Sequence, residues 1–166
     1  MTFRELQLAD ETIFNNWIKD WKQETKKVSI ATSLDSTFSQ YLINLEKMKT
    51  HNVNHLVKAT NYFFIEDNII KGGVSARWDL NDHLLKFGGH IGYGVSPAWR
   101  KQGVAKQMLK LTLAFYKARH ISPILITAEI WNTASRKTIE SNGGILENIV
   151  NEPDTDKYWC RYWVDL

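Results

Sequence analysis

The run Tyr93-Gly94-Val95-Ser96-Pro97-Ala98-Trp99-Arg100-Lys101-Gln102-Gly103-Val104-Ala105 passes from a β-prone stretch through a proline-containing turn into a long amphipathic helix. Its chemistry is that of an anion site. N–H groups in the first turn of a helix have no intrahelical partner, and the helix dipole adds positive potential there. Gly103 and Ala105 are small enough for a ligand to approach the backbone, and Arg100 and Lys101 bring two cations to the same end. Cations at the positive end of a helix disfavour the folded chain by itself, so phosphate is the natural complement. The plainer reading is a basic helix start facing solvent. The kind of phosphate is narrowed by what is missing. No G-x-x-x-x-G-K-[ST] run occurs, and Gly92-x-Gly94 meets Pro97 where a dinucleotide fingerprint needs its third glycine.

Hydropathy patterning supplies the elements around this run. Phe3 to Leu8 alternates like a half-buried strand, and Asp10 is placed to cap a helix with Ile13, Phe14, Trp17 and Trp21 on one face. Lys22 to Ser33 reads as a loop, and Asp35 or Ser36 starts a second helix carrying Phe38, Leu42, Leu45 and Met48. Asn61 to Ile65 and Ile69 to Arg77 form a hairpin around Glu66-Asp67-Asn68, with a bulge at Gly72-Gly73. Strand and helix signals then alternate: His90 to Val95, Gly103 to Arg119, Ile124 to Ile130 and Thr133 to Asn142. That order predicts an α/β sheet with parallel pairing in the middle, and the spacing of Val104, Met108, Leu111, Phe115 and Ala118 predicts the stripe that faces it. Gly143-Gly144 ends the last helix, and strands at Ile145 to Val150 and Tyr158 to Val164 close the chain.

Size and composition bound the function. A chain of 166 residues with 43% hydrophobic and 23% charged residues predicts one domain over 1–166. Lysine plus arginine exceed aspartate plus glutamate by 21 − 18 = 3, and the cations are scattered, which argues against nucleic acid as partner. One cysteine, Cys160, excludes an internal disulfide and points to a reducing compartment, hence the cytoplasm. No apolar run has the length of a signal sequence or a membrane span. His51 and His55 are spaced like zinc ligands, but Asn52 stands where the zinc-protease pattern needs glutamate, so no metal is expected.

Arg100-Lys101-Gln102-Gly103-Val104-Ala105 resembles the [QR]-x-x-G-x-[GA] loop of the GNAT superfamily of N-acetyltransferases. Ile124-Leu125-Ile126-Thr127-Ala128-Glu129-Ile130, then Asn132-Thr133-Ala134-Ser135, then Asn142-Gly143-Gly144, is similar to that family's next strand and helix. Gly88-Gly89-His90-Ile91-Gly92-Tyr93 and Ile139-Glu140-Ser141-Asn142-Gly143-Gly144 resemble a subgroup of acetyltransferases. The resemblance covers essentially the whole chain. It implies a layered α/β fold whose mixed central sheet has an antiparallel N-terminal half and a parallel central pair, flanked by helices. It implies acetyl-CoA as acetyl donor. Backbone groups of Tyr93, Gly94 and Val95 are then expected to pair with the pantetheine arm, and N–H groups from Gln102 through Gly103, Val104 and Ala105 to Lys106 to hold the pyrophosphate, with Arg100 and Lys101 at its rim. Asn132 matches a position that contacts the cofactor arm, and Ser135 either caps the helix or touches the cofactor.

Acetyl transfer to an amine needs a neutral nucleophile, whereas a lysine-like amine is mostly protonated at neutral pH. His90 and Glu129 are the candidates to take that proton, directly or through water. The family often carries a tyrosine in the helix after Asn132 as the acid for the departing thiolate; here that position is Ile139, with Tyr93, Tyr158 or Tyr162 as substitutes. Cys160 reads as a packed strand residue, and Arg77, Trp78 and Asp79 fall where the superfamily forms its acceptor pocket. The expected activity is direct transfer to a primary amine of a small molecule or peptide, by a monomer or homodimer. Two rivals are a non-catalytic acyl-CoA-binding sensor and, last, a nucleic-acid-binding domain.

Overall fold

The computed structural model describes residues 1–22, 37–51 and 56–166. Strand β1 (Thr2–Arg4) is followed by a 3₁₀ turn (Leu8–Asp10) and helix α1 (Glu11–Lys22). The first strand is shorter than the alternation suggests, because Arg4 pairs with both oxygens of Asp10, at 2.6 and 2.9 Å, and Asp10 also accepts from the Gln7 N–H. Those bonds turn the chain before Leu8. Helix α2 (Phe38–Thr50) is capped by Thr37, whose hydroxyl accepts from the Gln40 N–H. The loop expected up to Ser33, the proposed helix starters Asp35 and Ser36, and His55 lie outside the described residues.

Strands β2 (Ala59–Glu66) and β3 (Ile69–Arg77) form the expected hairpin. Asp67 and Asn68 both have positive φ, the two-residue turn whose twist matches the flanking strands. The irregularity falls at Lys71, since Phe64 pairs with Gly72 and Ile65 with Ile70, one residue before the glycines expected to mark it. A π-helical turn (Leu84–Gly88), which hydropathy did not foretell, leads into β4 (Ile91–Val95). Helix α3 (Val104–Ala118), β5 (Ile124–Glu129), α4 (Thr133–Glu140), β6 (Ile145–Asn151) and β7 (Tyr158–Val164) complete the order predicted from sequence.

The strands build two sheets, β1-β2-β3-β4 and β5-β7-β6, with antiparallel ladders throughout. The layered α/β class stands, but the expected parallel ladder between β4 and β5 does not form. Among the described residues the two sheets meet at one bridge, Gly89 with Ile126. There the His90 N–H donates to the Leu125 carbonyl at 2.7 Å, and the Leu125 N–H donates to Nδ1 of the His90 ring at 2.9 Å. A side chain thus occupies the place of the next backbone acceptor, while the His90 carbonyl is turned the other way, to the Arg77 N–H and the Tyr116 hydroxyl. Beyond this junction no ladder joins β4 to β5 among the described residues. Gly89 has φ +63°, and a Cβ there would meet the Leu125 carbonyl oxygen at 2.6 Å, so the junction accepts only glycine.

Two apolar clusters sit on opposite faces of the first sheet. One joins Phe14, Trp17 and Trp21 of α1 and Phe38, Tyr41 and Leu45 of α2 to Phe63 and Ile70. The other packs α3 and α4 against both sheets through Met108, Leu109, Tyr116, Ile126, Ile139 and Tyr162. The buried face of α3 is Val104, Met108, Leu109, Thr112, Leu113 and Tyr116 rather than the stripe through Leu111, Phe115 and Ala118. Hydropathy passes over Thr112 and Tyr116, yet both hydroxyls are satisfied, by the Met108 carbonyl and by the carbonyls of Arg77 and His90.

Burial, and then the nearby Arg77 charge, holds the His90 pKa below its ordinary value, and Nδ1 accepts a bond that a protonated ring cannot accept. A depressed folded-state pKa means that the unfolded chain binds the extra proton first, so stability is full above about pH 6.5 and declines as pH falls through the folded value. The thermal midpoint should drop between pH 7 and 5 in the wild type. In His90→Asn, whose amide oxygen can still accept from Leu125, that part of the drop should vanish.

Candidate functional site

The splay leaves one edge of β4 open. The Ser96 N–H bonds the Lys71 carbonyl, and the Arg77 N–H bonds the His90 carbonyl. Antiparallel alternation therefore turns the backbone groups of Gly92 and Gly94 toward β3 and those of Ile91, Tyr93 and Val95 toward the gap. Of the three residues expected to offer backbone groups to a ligand, Tyr93 and Val95 turn theirs toward the gap, the Val95 carbonyl already accepting from Arg100. Gly94 contributes only the lack of a side chain.

At its C-terminal end β4 runs through a turn at Pro97–Trp99 into α3. Lys101 and Gly103 both have positive φ, +61° and +81°, which coils Lys101-Gln102-Gly103 tightly against the helix start. No hydrogen bond occupies the backbone N–H groups from Gln102 to Lys106 among the described residues. A Cβ on Gly103 would meet no atom within 4 Å, so the surface above it is open. Arg100 does not stand free over that surface: its Nε donates to the Val95 carbonyl at 3.1 Å and its guanidinium lies 5.9 Å from the Trp21 ring. It braces the end of β4, and Lys101 and Lys106 are the cations nearer the free N–H groups in the chain.

Between the parting strands lies a cleft of about 250 Å³ whose walls include Arg77, Phe87, Tyr93, Glu129, Asn132, Ser135 and Trp159. Asn132 caps α4, its Oδ1 accepting from the Ser135 N–H at 3.1 Å. The cap is thus Asn132, and the Ser135 side chain turns elsewhere, its Oγ lying 2.8 Å from the Tyr93 hydroxyl. Burial pushes the Tyr93 phenol up to about 12, so it holds its proton at neutral pH. Glu129 ends β5 with Oε2 accepting from the Trp131 indole at 2.5 Å. His90 lies behind the wall, buried, with Nδ1 taken and its ring edge against Tyr116.

Other sequence candidates lie elsewhere. Tyr162 is buried between Arg136 and Glu140, Tyr158 is half exposed at the start of β7, and Ile139 is fully buried. Cys160 is packed in the core. Trp78 supports the fold, sandwiched against Tyr116 with Arg119 3.9 Å over its ring, whereas its neighbour Arg77 does line the cleft. Sequence patterning did not single out Phe87, Thr127 or Trp159 as site residues. Phe87 arrives on the π-helical turn, which the Thr127 hydroxyl ties to β5 through the Phe87 carbonyl, and no hydropathy period marks such a turn.

Comparison with known proteins accords with this geometry. Residues 1–145 match the family profile of the acetyltransferase (GNAT) domain. Among solved structures, the fold is similar to the ribosomal-protein-S5-alanine acetyltransferase from Vibrio fischeri, with a TM-score of 0.73 at 17% identity over 98% of this chain and 91% of that one. It is also similar to a GNAT-family acetyltransferase from Streptococcus pneumoniae, with a TM-score of 0.71 at 13% identity over 99% and 98% of the two chains. A third is a spermidine N-acetyltransferase chimera from Vibrio cholerae and hSSAT, with a TM-score of 0.67 at 12% identity over 99% and 96%. None of the curated proteins matches the sequence significantly. With its splayed strands, its glycine-containing helix entry and a profile match over most of its length, the chain belongs to the GNAT family of acetyltransferases.

Proposed function

We propose that the protein transfers acetyl from acetyl-CoA directly to a primary amine held in the cleft between β4 and β5. The observation that carries this reading is that β4, whose open edge borders a cleft with the Glu129 carboxylate at its side, runs on through one turn into the bare N-terminus of α3. The backbone of Tyr93 and Val95 suits an amide-bearing arm laid beside β4 as an added strand. N–H groups from Gln102 to Lys106, with Lys101 and Lys106, suit the pyrophosphate. Asn132 spends its Oδ1 on the cap, so its amide N–H groups are the part that faces a bound arm.

Bound acetyl-CoA supplies an activated acyl carbon: the ammonium first gives up one proton, the neutral nitrogen then bonds to the acyl carbon as the carbon–sulfur bond breaks and gives up a second, the thiolate takes one up, and one proton passes to solvent. The remaining chemistry belongs to the chain. Glu129 receives the amine proton, directly or through water, because its Oε1 has no partner among the described residues and it borders the cleft. His90 takes no part in the transfer, since its accepting nitrogen holds the sheet junction. The Tyr93–Ser135 pair delivers a proton on the sulfur side: the phenol is protonated at neutral pH, and Ser135 sits at the positive end of α4. This pair fills the role that Ile139 cannot perform.

An alanine of a ribosomal protein and spermidine are the acceptors named for two structural neighbours. The protein itself is read as acting on a small amine or a peptide, without membrane attachment or nucleic acid, as a monomer or homodimer in the cytoplasm. No described helix is long and apolar enough to cross a membrane.

Gly103→Val forces a β-branched residue to φ +81° and puts two methyl groups over the free N–H groups. Calorimetric titration should show acetyl-CoA binding weakened at least about tenfold, with the fold intact by circular dichroism. Glu129→Gln should lower kcat/KM for the best amine by about 10² to 10⁴ while leaving acetyl-CoA affinity within about twofold, measured by release of free CoA thiol.

A further inference from the structure

We propose that Arg77 selects the acceptor and that the acceptor is a small amino carboxylate, its amine directed to Glu129 and its carboxylate to Arg77; this rests on the acetyl-transfer reading above. The residues stand at the ends of β3 and β5 and border the same cleft of about 250 Å³, so one small molecule spans both.

Arg77 differs from the other arginines of the fold. Arg4 and Arg161 sit on carboxylates, Arg119 lies over the Trp78 ring, Arg100 is exposed on the Val95 carbonyl, and Arg136, on the Ile130 carbonyl and the Tyr162 hydroxyl, has its pKa raised where that of Arg77 is lowered by burial. Arg77 has no carboxylate partner among the described residues, although burial depresses its pKa and thus opposes its charge. Of its five N–H groups, Nη1 spends two on the carbonyls of Gly88 and Gly89, each at 2.9 Å. Nε and Nη2 make no bond among the described residues. A guanidinium fixed on one side by two carbonyls is held in orientation, and its unspent side is the planar fork that fits a carboxylate with two parallel bonds. A cation removed from water without an anion is costly, and a bound carboxylate removes that cost.

The same charge acts against other amines. A polyamine would bring a second ammonium toward Arg77, and like charges in a partly desolvated cleft repel. An uncharged alkylamine would leave the guanidinium unpaired.

The test compares matched acceptors on the acetyl-CoA-saturated protein: alanine with ethylamine, β-alanine with the same amine, and lysine with cadaverine, alongside spermidine and a peptide with a free N-terminus. Wild type should acetylate at least one carboxylated member about tenfold or more faster in kcat/KM than its decarboxylated match. Arg77→Gln should erase that preference mainly through a raised KM, and Arg77→Lys should keep part of it, both with acetyl-CoA affinity unchanged. Because Arg77 also ties down Gly88 and Gly89, both variants are checked by thermal melting, and the wild-type comparison stands without them. A plain amine, spermidine or the peptide turned over as well as every carboxylated compound would overturn the inference, as would failure of all carboxylated compounds. If acetyl-CoA itself produced no binding heat, the underlying reading would fall, and this inference with it.

Discussion

Two hydrogen bonds between His90 and Leu125 anchor the architecture, because they join the sheets beside the isolated Gly89–Ile126 bridge, beyond which β4 and β5 share no ladder among the described residues. Had β4 continued as a paired strand, its Ile91, Tyr93 and Val95 backbone groups would be consumed by β5. The imidazole instead stands in for a carbonyl, Gly89 makes the approach sterically possible, and Tyr116 and Arg77 take the remaining carbonyl of His90. The buried imidazole of His90 thus holds the sheet junction beside the cleft.

The walls of that cleft divide the chemistry by face. On the β4 and α4 side, Tyr93 and Ser135 form a neutral hydroxyl pair, and Asn132 fixes the start of α4. On the strand ends lie the two charges, Arg77 and Glu129, each with part of its hydrogen-bonding capacity unspent. Neutral donors near a departing thiolate and a carboxylate near an arriving ammonium are the distribution that amine acetylation requires. Arg100, by contrast, braces the strand end by way of the Val95 carbonyl, so the proposed pyrophosphate site is built on backbone N–H groups more than on its guanidinium.

Element order, the hairpin turn and the glycine-containing helix entry were legible in the sequence because each depends on local chemistry: alternation, positive-φ residues and small side chains at fixed spacing. What was not legible depends on tertiary partners. The choice of buried stripe on α3 turns on Thr112 and Tyr116, whose hydroxyls are tolerated in the core only because carbonyls accept from them, those bonded to Tyr116 lying far away in the chain. The β4–β5 separation depends on a side chain replacing a backbone acceptor, which no periodicity encodes. Of the cleft-lining residues, Glu129 was named from its place at a strand end and Asn132 from the family resemblance, whereas Phe87 and Trp159 come from the π-helical turn and from β7, which lie outside the Tyr93 to Ala105 run.

The central claim is that the open edge of β4 and the start of α3 form one acetyl-CoA surface, and residue-resolved amide hydrogen exchange tests it most directly. Saturating acetyl-CoA should slow exchange at Tyr93, Val95 and the amides from Gln102 to Lys106 together, leaving Gly92 and Gly94, already turned toward β3, little changed. Exchange at the Tyr93, Val95 and α3-entry amides that is the same with and without acetyl-CoA would contradict the account.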